Sequence, residues 1–245
     1  MKTLKKVACI TAVVGMAIFL CVPSGMATIL SETETFSGVG TPVLTFDQFD
    51  DSLGTLNSIE VTFSLTSDGG YILFDNDAGS SLTGNASFGA QGSIGASDVP
   101  LIDAAFASIF GTQQAITSVV GLNIGAEDGD GTTIDTNPAS PDTYLLSGGE
   151  VTASDSGFVN SVVWAQYTGT GTFTITPNLT TFTSTTVSPA PQSSQDPPVL
   201  DGFFTVAYDY TPTEAPIPEP GTMLLLGFGL AGLAGLSRRK KSAHR

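Results

Sequence analysis

An acidic, glycine-rich loop holds the residue types best suited to bind a metal ion. Asp128, Asp130 and Asp135 lie within the sequence EDGDGTTID, whose two glycines let the backbone turn sharply. Carboxylate oxygens are ligands that Ca²⁺ prefers, so these three aspartates are the predicted ligands of a calcium site. The loop is not an EF-hand, because Thr132 and Thr133 stand where that pattern requires Asp or Asn and Gly. The alternative is a solvated acidic turn, and apart from this Ca²⁺ no cofactor is expected.

Side chains that commonly carry catalysis are scarce in the middle of the chain. The only histidine is His244, and every Lys and Arg also lies near one end. No Ser-His-Asp or Ser-Lys group can therefore form between Val7 and Ser237. Paired carboxylates, as a glycosidase requires, remain possible. Candidate pairs are Asp50-Asp51, Asp75 with Asp77, and Glu127-Asp128. Since such sites usually recruit basic helpers and this body has none, we expect no enzymatic activity.

The charge of the chain is divided between its ends and its body. Of the 23 acidic residues, 22 lie within residues 28–217, where there is no Lys, Arg or His. No cation is available there to meet a phosphate, so nucleic acid is excluded as a partner and a P-loop would lack its lysine. Cys9 and Cys21 both lie in the N-terminal apolar stretch. The body can therefore form neither a disulfide nor a thiolate metal site.

The N-terminus has the layout of a secretory signal peptide. A short basic segment with Lys2, Lys5 and Lys6 precedes an apolar stretch over residues 7–22. The small residues Gly25 and Ala27 then fit the cleavage pattern of signal peptidase, so residues 1–27 are the predicted signal peptide, cut after Ala27. Two alternatives are an uncleaved membrane anchor and a lipoprotein modified at Cys21.

The C-terminus combines a short motif, an apolar helix and a basic cluster. Pro218, Glu219 and Pro220 come directly before the predicted helix over residues 222–237. A helix of that length spans about 24 Å, less than the roughly 30 Å hydrocarbon core, so it makes a marginal membrane anchor. The basic cluster that follows should keep its end in the cytoplasm and leave the body outside. It consists of Arg238, Arg239, Lys240 and Lys241.

This order of elements resembles the PEP-CTERM sorting signal, here over residues 218–241. The resemblance implies processing by an exosortase, a membrane-embedded transpeptidase-like enzyme of Gram-negative bacteria that make exopolysaccharide. Such a tail holds the protein at the membrane and is then removed. The expected partners are signal peptidase and an exosortase-like enzyme, with an exopolysaccharide matrix as a further one. The alternative is a plain C-terminal membrane anchor.

The body between these ends is predicted to be a single antiparallel β-sandwich over residues 28–211, with one short helix. Strands are indicated by alternating or apolar runs, by an expected hairpin turn at Asp68-Gly69-Gly70 and by many threonines. The predicted strands contain Ile59 to Leu65, Tyr71 to Phe74, Val120 to Ile124, Val159 to Tyr167, Phe173 to Ile175 and Phe204 to Tyr210. Val120, Leu122 and Ile124 are expected to share one face of their strand. The helix is expected over residues 100–110, because Ile102, Phe106 and Ile109 have helical spacing and Gly111 follows. Residues 188–199 are expected to be a loop, and the proline-rich stretch 212–221 a stiff tether.

A second resemblance concerns the body. The stretch from Phe46 to Ile59 (FDQFDDSLGTLNSI) is similar to the opening of the choice-of-anchor E domain, and Tyr167 to Thr172 (YTGTGT) is similar to a later element of it. The resemblance implies a secreted β domain with no catalytic residues to transfer. Two functions remain open: a structural or interaction protein of a surface or extracellular matrix, and a carbohydrate-binding module that presents Tyr71, Tyr144 or Phe88 in an exposed row.

Overall fold

The computed structural model describes residues 27–129, 131 and 133–213. These residues form strands and two short 3₁₀-helices, Asp51–Leu53 and Ser161–Gln166. The strands are β1 (Thr28–Ser37), β2 (Leu44–Asp47), β3 (Gly54–Asp68), β4 (Tyr71–Asp75), β5 (Leu82–Ser97), β6 (Gln113–Ile124), β7 (Thr143–Ser147), β8 (Val151–Phe158), β9 (Thr172–Thr185), β10 (Gln192–Asp196) and β11 (Val199–Pro212). All the strand pairs are antiparallel, which confirms the predicted mainly β fold.

The pair β3–β11 forms the centre of the first sheet, and its alternating sequences explain why. Ile59, Val61 and Phe63 on β3 point to one face and are completely buried. Their register partners on β11 are Tyr208, Val206 and Phe204, which are buried on the same face. Because successive side chains of a strand point to opposite faces, one alternating run on each strand is enough to build this side of the core.

One layer of the sandwich is divided into two sheets, whose strands alternate along the chain. The first has the order β1-β11-β3-β8 and the second β10-β4-β7. β3 leads into β4 through Gly69 and Gly70, whose φ angles of 66° and 71° favour glycine. A Cβ on Gly70 would also lie 2.7 Å from the carbonyl oxygen of Asp196. The predicted turn is present, but the expectation of a hairpin was wrong, because the strands on either side of it enter different sheets.

The other layer is the sheet β2-β9-β5-β6, and its long strand β5 covers both sheets of the first layer. Two buried clusters result. The main cluster contains Phe46, Phe63, Phe110 and Phe204, whose ring centroids lie 5.5 to 6.3 Å from those of their neighbours in the group. The second cluster packs between β5, β6 and the sheet β10-β4-β7; it contains Ile72, Phe74, Leu82, Ala86, Phe88, Leu122, Ile124, Leu146 and Val187.

The helix expected over residues 100–110 is not formed. The backbone makes a narrow loop closed by a bridge between Ile102 and Ser108. The Asp103 carboxylate accepts hydrogen bonds from the backbone N–H groups of Ala105 and Ala107, so these donors are satisfied without a helix. Phe106 adopts a φ of 62° and is exposed, which removes one of the three residues assigned to the apolar face.

The strand expected over residues 159–167 was also wrong. The chain turns at Asn160, whose side-chain oxygen accepts a hydrogen bond from the Val162 N–H and caps the 3₁₀-helix Ser161–Gln166. Trp164 is half-buried against the main cluster, and its indole N–H donates to the Val159 carbonyl at 3.0 Å. Val163 packs against the main cluster from the same 3₁₀-helix, whereas Val162 is exposed.

Two smaller expectations also fail. Val120 was placed on the same face as Leu122 and Ile124, but it is 82% exposed. A bulge opposite Gly84/Asn85 shifts the register there, with Gly121 at a φ of 68°, so the alternation is interrupted between Val120 and Leu122. The proposed loop over residues 188–199 contains strand β10, which pairs with β4.

Candidate functional site

Three aspartates come together where the connection between β6 and β7 returns to the sandwich. One carboxylate oxygen from each of Asp128, Asp135 and Asp142 lies within 4.8 Å of the other two. Asp142 directly precedes β7 and is completely buried, Asp135 is half-buried and Asp128 is exposed. The group thus extends from the protein interior to its surface, as expected of a site that an ion could enter from solvent.

Hydrogen bonds within the connection hold these carboxylates in place. The Asp142 Oδ2 accepts a hydrogen bond from the Asp128 N–H at 2.9 Å, and the Ser140 hydroxyl donates to the Asp128 Oδ2 at 2.7 Å. The Asp135 N–H donates to the Oδ2 of Asp75 at 2.8 Å, which attaches the middle of the connection to the end of β4. Two backbone N–H groups and one hydroxyl of the connection therefore hold the cluster in place.

Asn76 fastens both ends of the same connection to β4. Its N–H donates to the Asp142 carbonyl at 3.0 Å, and its side-chain amide donates to the Ser80 and Gly125 carbonyls. Its side-chain oxygen accepts from the Ala78 N–H, so the buried amide is fully used. Because Gly125 and Asp142 stand at the two ends of the connection, the backbone and side chain of one residue together set the distance that the intervening loop must close.

The electrostatics of this region are unusual, because buried carboxylates have no basic neighbour. Asp75 and Asp142 are both completely buried. The Oδ1 atoms of Asp75, Asp77 and Asp142 accept no hydrogen bond from any residue that the structure describes. Burial raises the pKa of Asp75, and the carboxylates of Asp142, Asp77 and Asp135 raise it further, against the opposing effect of the Asp135 N–H.

The structure brings together part of the predicted calcium ligands and adds a residue that was missed. Asp128 and Asp135 are neighbours, whereas Asp130 lies outside the described residues. Asp142 was not predicted, because it stands outside the acidic run, after a proline and next to a strand. The only sequence signal for it was an aspartate at the start of a strand, which by itself does not distinguish a ligand from a turn residue.

Among the described residues, the other carboxylate pairs do not form a second site of this kind. Asp50 caps the 3₁₀-helix Asp51–Leu53, and its Oδ1 accepts from the Ser52 N–H at 2.9 Å. Hydrogen bonds from the Ser52 N–H and from the Ser52 side chain lower the pKa of Asp50. The Asp77 Oδ2 accepts a hydrogen bond from the Gln192 amide. Both aspartates thus have partners that explain their position in the fold.

The three aromatic residues considered for carbohydrate binding do not share one exposed face. Tyr71 is 38% exposed, Tyr144 packs against the second cluster, and Phe88 is buried inside it. Tyr71 does line a shallow groove of about 240 Å³ on the outer face of β10-β4-β7. The remaining residues that line this groove are Leu73, Thr136, Pro138, Leu145 and Ser194.

The predicted processing signals lie at or beyond the limits of the described region. Ala27 is exposed and immediately precedes β1, so the expected signal-peptidase cut remains a prediction. The motif Pro218, Glu219 and Pro220, the helix over residues 222–237, and the basic cluster Arg238, Arg239, Lys240 and Lys241 all lie outside the described residues. In the part of the chain that is described, no helix has the length and apolar character needed to cross a membrane.

Comparison with known families settles the nature of the C-terminal segment. Residues 216–240 match the PEP-CTERM protein-sorting motif. The chain carries a PEP-CTERM sorting signal. It is therefore an exported protein that is anchored transiently at the membrane and sorted by an exosortase-like enzyme. The PEP-CTERM match covers the tail alone.

Comparisons of the body are less informative. No curated protein matches the chain. Among solved structures, it is similar over 84% of its length to a structure of the infectious bursal disease virus Gx strain, with 13% identity and a TM-score of 0.13. The Gt strain structure gives 12% identity over 87% of this chain and the same TM-score. The chain spans 49% of either viral chain, and such TM-scores carry no argument about this PEP-CTERM protein.

Proposed function

We propose that the mature chain is a non-catalytic component of the cell surface or extracellular matrix, with a structural or interaction role. The observation that carries this proposal is the charge of the body: 22 carboxylates and no Lys, Arg or His within residues 28–217. An exported domain of this kind stays soluble, because its copies repel one another at low salt. No nucleic acid partner is compatible with such a surface.

The absence of His, Lys, Arg and Cys from the body supports a non-catalytic role. Nucleophilic catalysis needs a base beside the nucleophile, and neither His nor Lys is present between Val7 and Ser237. Asp75 and Asp142 are completely buried, and each accepts a hydrogen bond from a backbone N–H of the β6–β7 connection, so neither is exposed in an open cleft. A glycosidase needs two carboxylates on opposite sides of a sugar. We therefore propose that Asp75 and Asp142 serve the structure of the domain and ion binding.

Cations determine how such a domain remains in an acidic matrix. The outward face of the first sheet carries Glu60, Asp201 and Asp209, and none of them has a basic partner in the described region. Repulsion from an acidic exopolysaccharide is screened over about 10 Å at 0.1 M salt, so monovalent salt weakens it. Divalent cations can additionally bridge a carboxylate of the protein to one of the polysaccharide. We propose that such bridges retain the protein in the matrix.

Chelation on intact cells tests this role. Cells would be washed with a calcium chelator, with the same chelator preloaded with Ca²⁺, and with NaCl at the same ionic strength. The proposal predicts release of the protein by the free chelator alone. Equal retention in all three washes would reject divalent bridging.

A carbohydrate-binding module is the second possibility, favoured by the groove that Tyr71, Leu73 and Leu145 line. In that case free sugars would release the protein at constant calcium, and Tyr71→Ala would weaken retention. Val199→Ala is a matched control, because Val199 is exposed at the start of β11 and does not line the groove. Release by a particular sugar would replace the matrix-bridging role with this one.

A further inference from the structure

The spacing of the Asp128, Asp135 and Asp142 carboxylates suits a single calcium ion. Ca²⁺ binds oxygens at about 2.3–2.6 Å, so two ligands on opposite sides of one ion are separated by about twice that distance. The three carboxylate oxygens lie within 4.8 Å of one another and can therefore all contact the same ion. With no His or Cys within residues 28–217, the available ligands are oxygens alone, which favours a hard cation.

The second observation is independent of this spacing and concerns burial. Asp142 is completely shielded from solvent, and its Oδ1 accepts no hydrogen bond from any residue in the described part of the chain. A buried carboxylate without a counter-charge is strongly unfavourable. Proteins compensate buried charge with a basic side chain or a metal, and no Lys, Arg or His occurs between Val7 and Ser237. A cation taken up from solvent would supply the opposite charge that the side chains of this domain lack.

We propose that the connection between β6 and β7 is a calcium-binding loop, with Asp128, Asp135 and Asp142 as its carboxylate ligands. The buried Asp142 provides the inner ligand, while the exposed Asp128 lies on the side from which the ion enters. Backbone carbonyls and water complete the six to eight oxygens that Ca²⁺ takes. Asp75 does not need to touch the ion, because its Oδ2 holds the Asp135 backbone in place.

Calcium binding would connect the beginning, middle and end of this loop. Thr136 and Pro138 belong to the same connection and line the groove on the outer face of β10-β4-β7. The ion would thus order one wall of that groove. Because the site concerns the stability of the domain, it does not depend on the matrix role proposed above.

The test uses the protein purified from outside the cells, in the wild-type form and as Asp142→Asn. Thermal melting would be followed in a calcium chelator and in CaCl₂, and binding of Ca²⁺ measured by calorimetry. With Ca²⁺ at about 100 times the dissociation constant, wild-type protein should melt about 5–10 °C higher than in chelator. The dissociation constant should fall near 10⁻⁴–10⁻³ M, about the range of extracellular calcium modules.

Asp142→Asn should lose this calcium-dependent shift in melting temperature. It should also change which of the two proteins, wild type or variant, is more stable in each solution. In chelator it should melt at or above the wild type, because an uncompensated buried charge has been removed, whereas in CaCl₂ it should melt below it. A purely structural role for Asp142 would lower melting equally in both solutions and would overturn the proposal. Asp201→Asn changes the charge by the same amount at an exposed position, and it should keep the full calcium shift.

Two further results would also contradict the site. Identical melting of the wild type in chelator and in CaCl₂ would show that no ion stabilises the fold. An equal shift from NaCl at the same ionic strength would show charge screening in place of binding. If Asp142→Asn does not fold, Asp128→Asn at the exposed ligand should still fold and should weaken calcium binding at least tenfold; unchanged affinity there would overturn the assignment.

Discussion

Phe204 is the residue whose removal should damage the sandwich most clearly, and Phe203 beside it supplies the control. Phe204 is completely buried, and its ring centroid lies 5.5, 5.7 and 6.3 Å from those of Phe110, Phe46 and Phe63. Phe203 is the next residue of the same strand, points to the opposite face and is 37% exposed. The two substitutions to Ala therefore remove the same atoms from two different environments.

The expected loss differs severalfold between the two positions. Replacing a buried Phe with Ala removes its transfer free energy and leaves a cavity, which together cost about 3–5 kcal/mol. Phe204→Ala should therefore remove a large part of the roughly 5–15 kcal/mol by which a domain is stable. Phe203→Ala should cost about 1 kcal/mol, since its side chain is partly solvated in the folded state.

Urea unfolding measures both changes with a single intrinsic probe. Trp164 is the only tryptophan and packs against the main cluster, so its fluorescence reports the loss of that core. With a slope of about 2 kcal/mol per molar urea, Phe204→Ala should lower the midpoint by about 2 M and Phe203→Ala by about 0.5 M. Equal midpoint shifts would refute the assignment of β11 side chains to an inner and an outer face.

Other predictions follow from single contacts. Gly202→Ala should destabilise the fold by about 1–3 kcal/mol, because its Cβ would lie 2.2 Å from the Ser64 carbonyl oxygen and 2.4 Å from the Phe36 ring; normal stability in urea would contradict this packing. Burial raises the pKa of Tyr167 and of Tyr208 above the usual 10.0. The stability that depends on these neutral, buried hydroxyls is therefore fully present below pH 10.0 and is lost as the pH rises above it. Tyr208→Phe should cost about 1 kcal/mol at neutral pH by losing the hydrogen bond to the Asp47 carbonyl, yet lose less stability on going to alkaline pH; the same alkaline loss as wild type would exclude Tyr208 as a titrating group.

The parts of the fold predicted from sequence are those in which neighbouring side chains carry the information. The alternation in β3 and β11 identified their buried faces, because the period of two is a local property of a strand. The loop at Asp103 and the 3₁₀-helix after Asn160 were missed, because one polar side chain captured backbone N–H groups that the apolar spacing had assigned to a helix or a strand. Such competition is decided by hydrogen bonds that residue spacing does not reveal.

The same reasoning explains what was visible of the candidate site. The acidic run around Asp128 and Asp135 is a local composition and was recognised. The burial of Asp142 is not local, because it arises where Asn76 on a distant strand end binds the Asp142 backbone. The sorting tail is the opposite case: its three elements are consecutive in the chain, so the sequence alone identified it.

The intact mass of the protein found outside the cell shows whether the chain is exported and its C-terminal tail processed. We expect a chain without residues 1–27 and 223–245, while replacement of Pro218, Glu219 and Pro220 should leave the precursor in the membrane fraction. No Lys or Arg lies between Val7 and Ser237, so trypsin should leave the processed body as one fragment. A tryptic fragment ending at Arg238 in the extracellular material, or an intact mass that includes the apolar tail, would show that the tail is not removed.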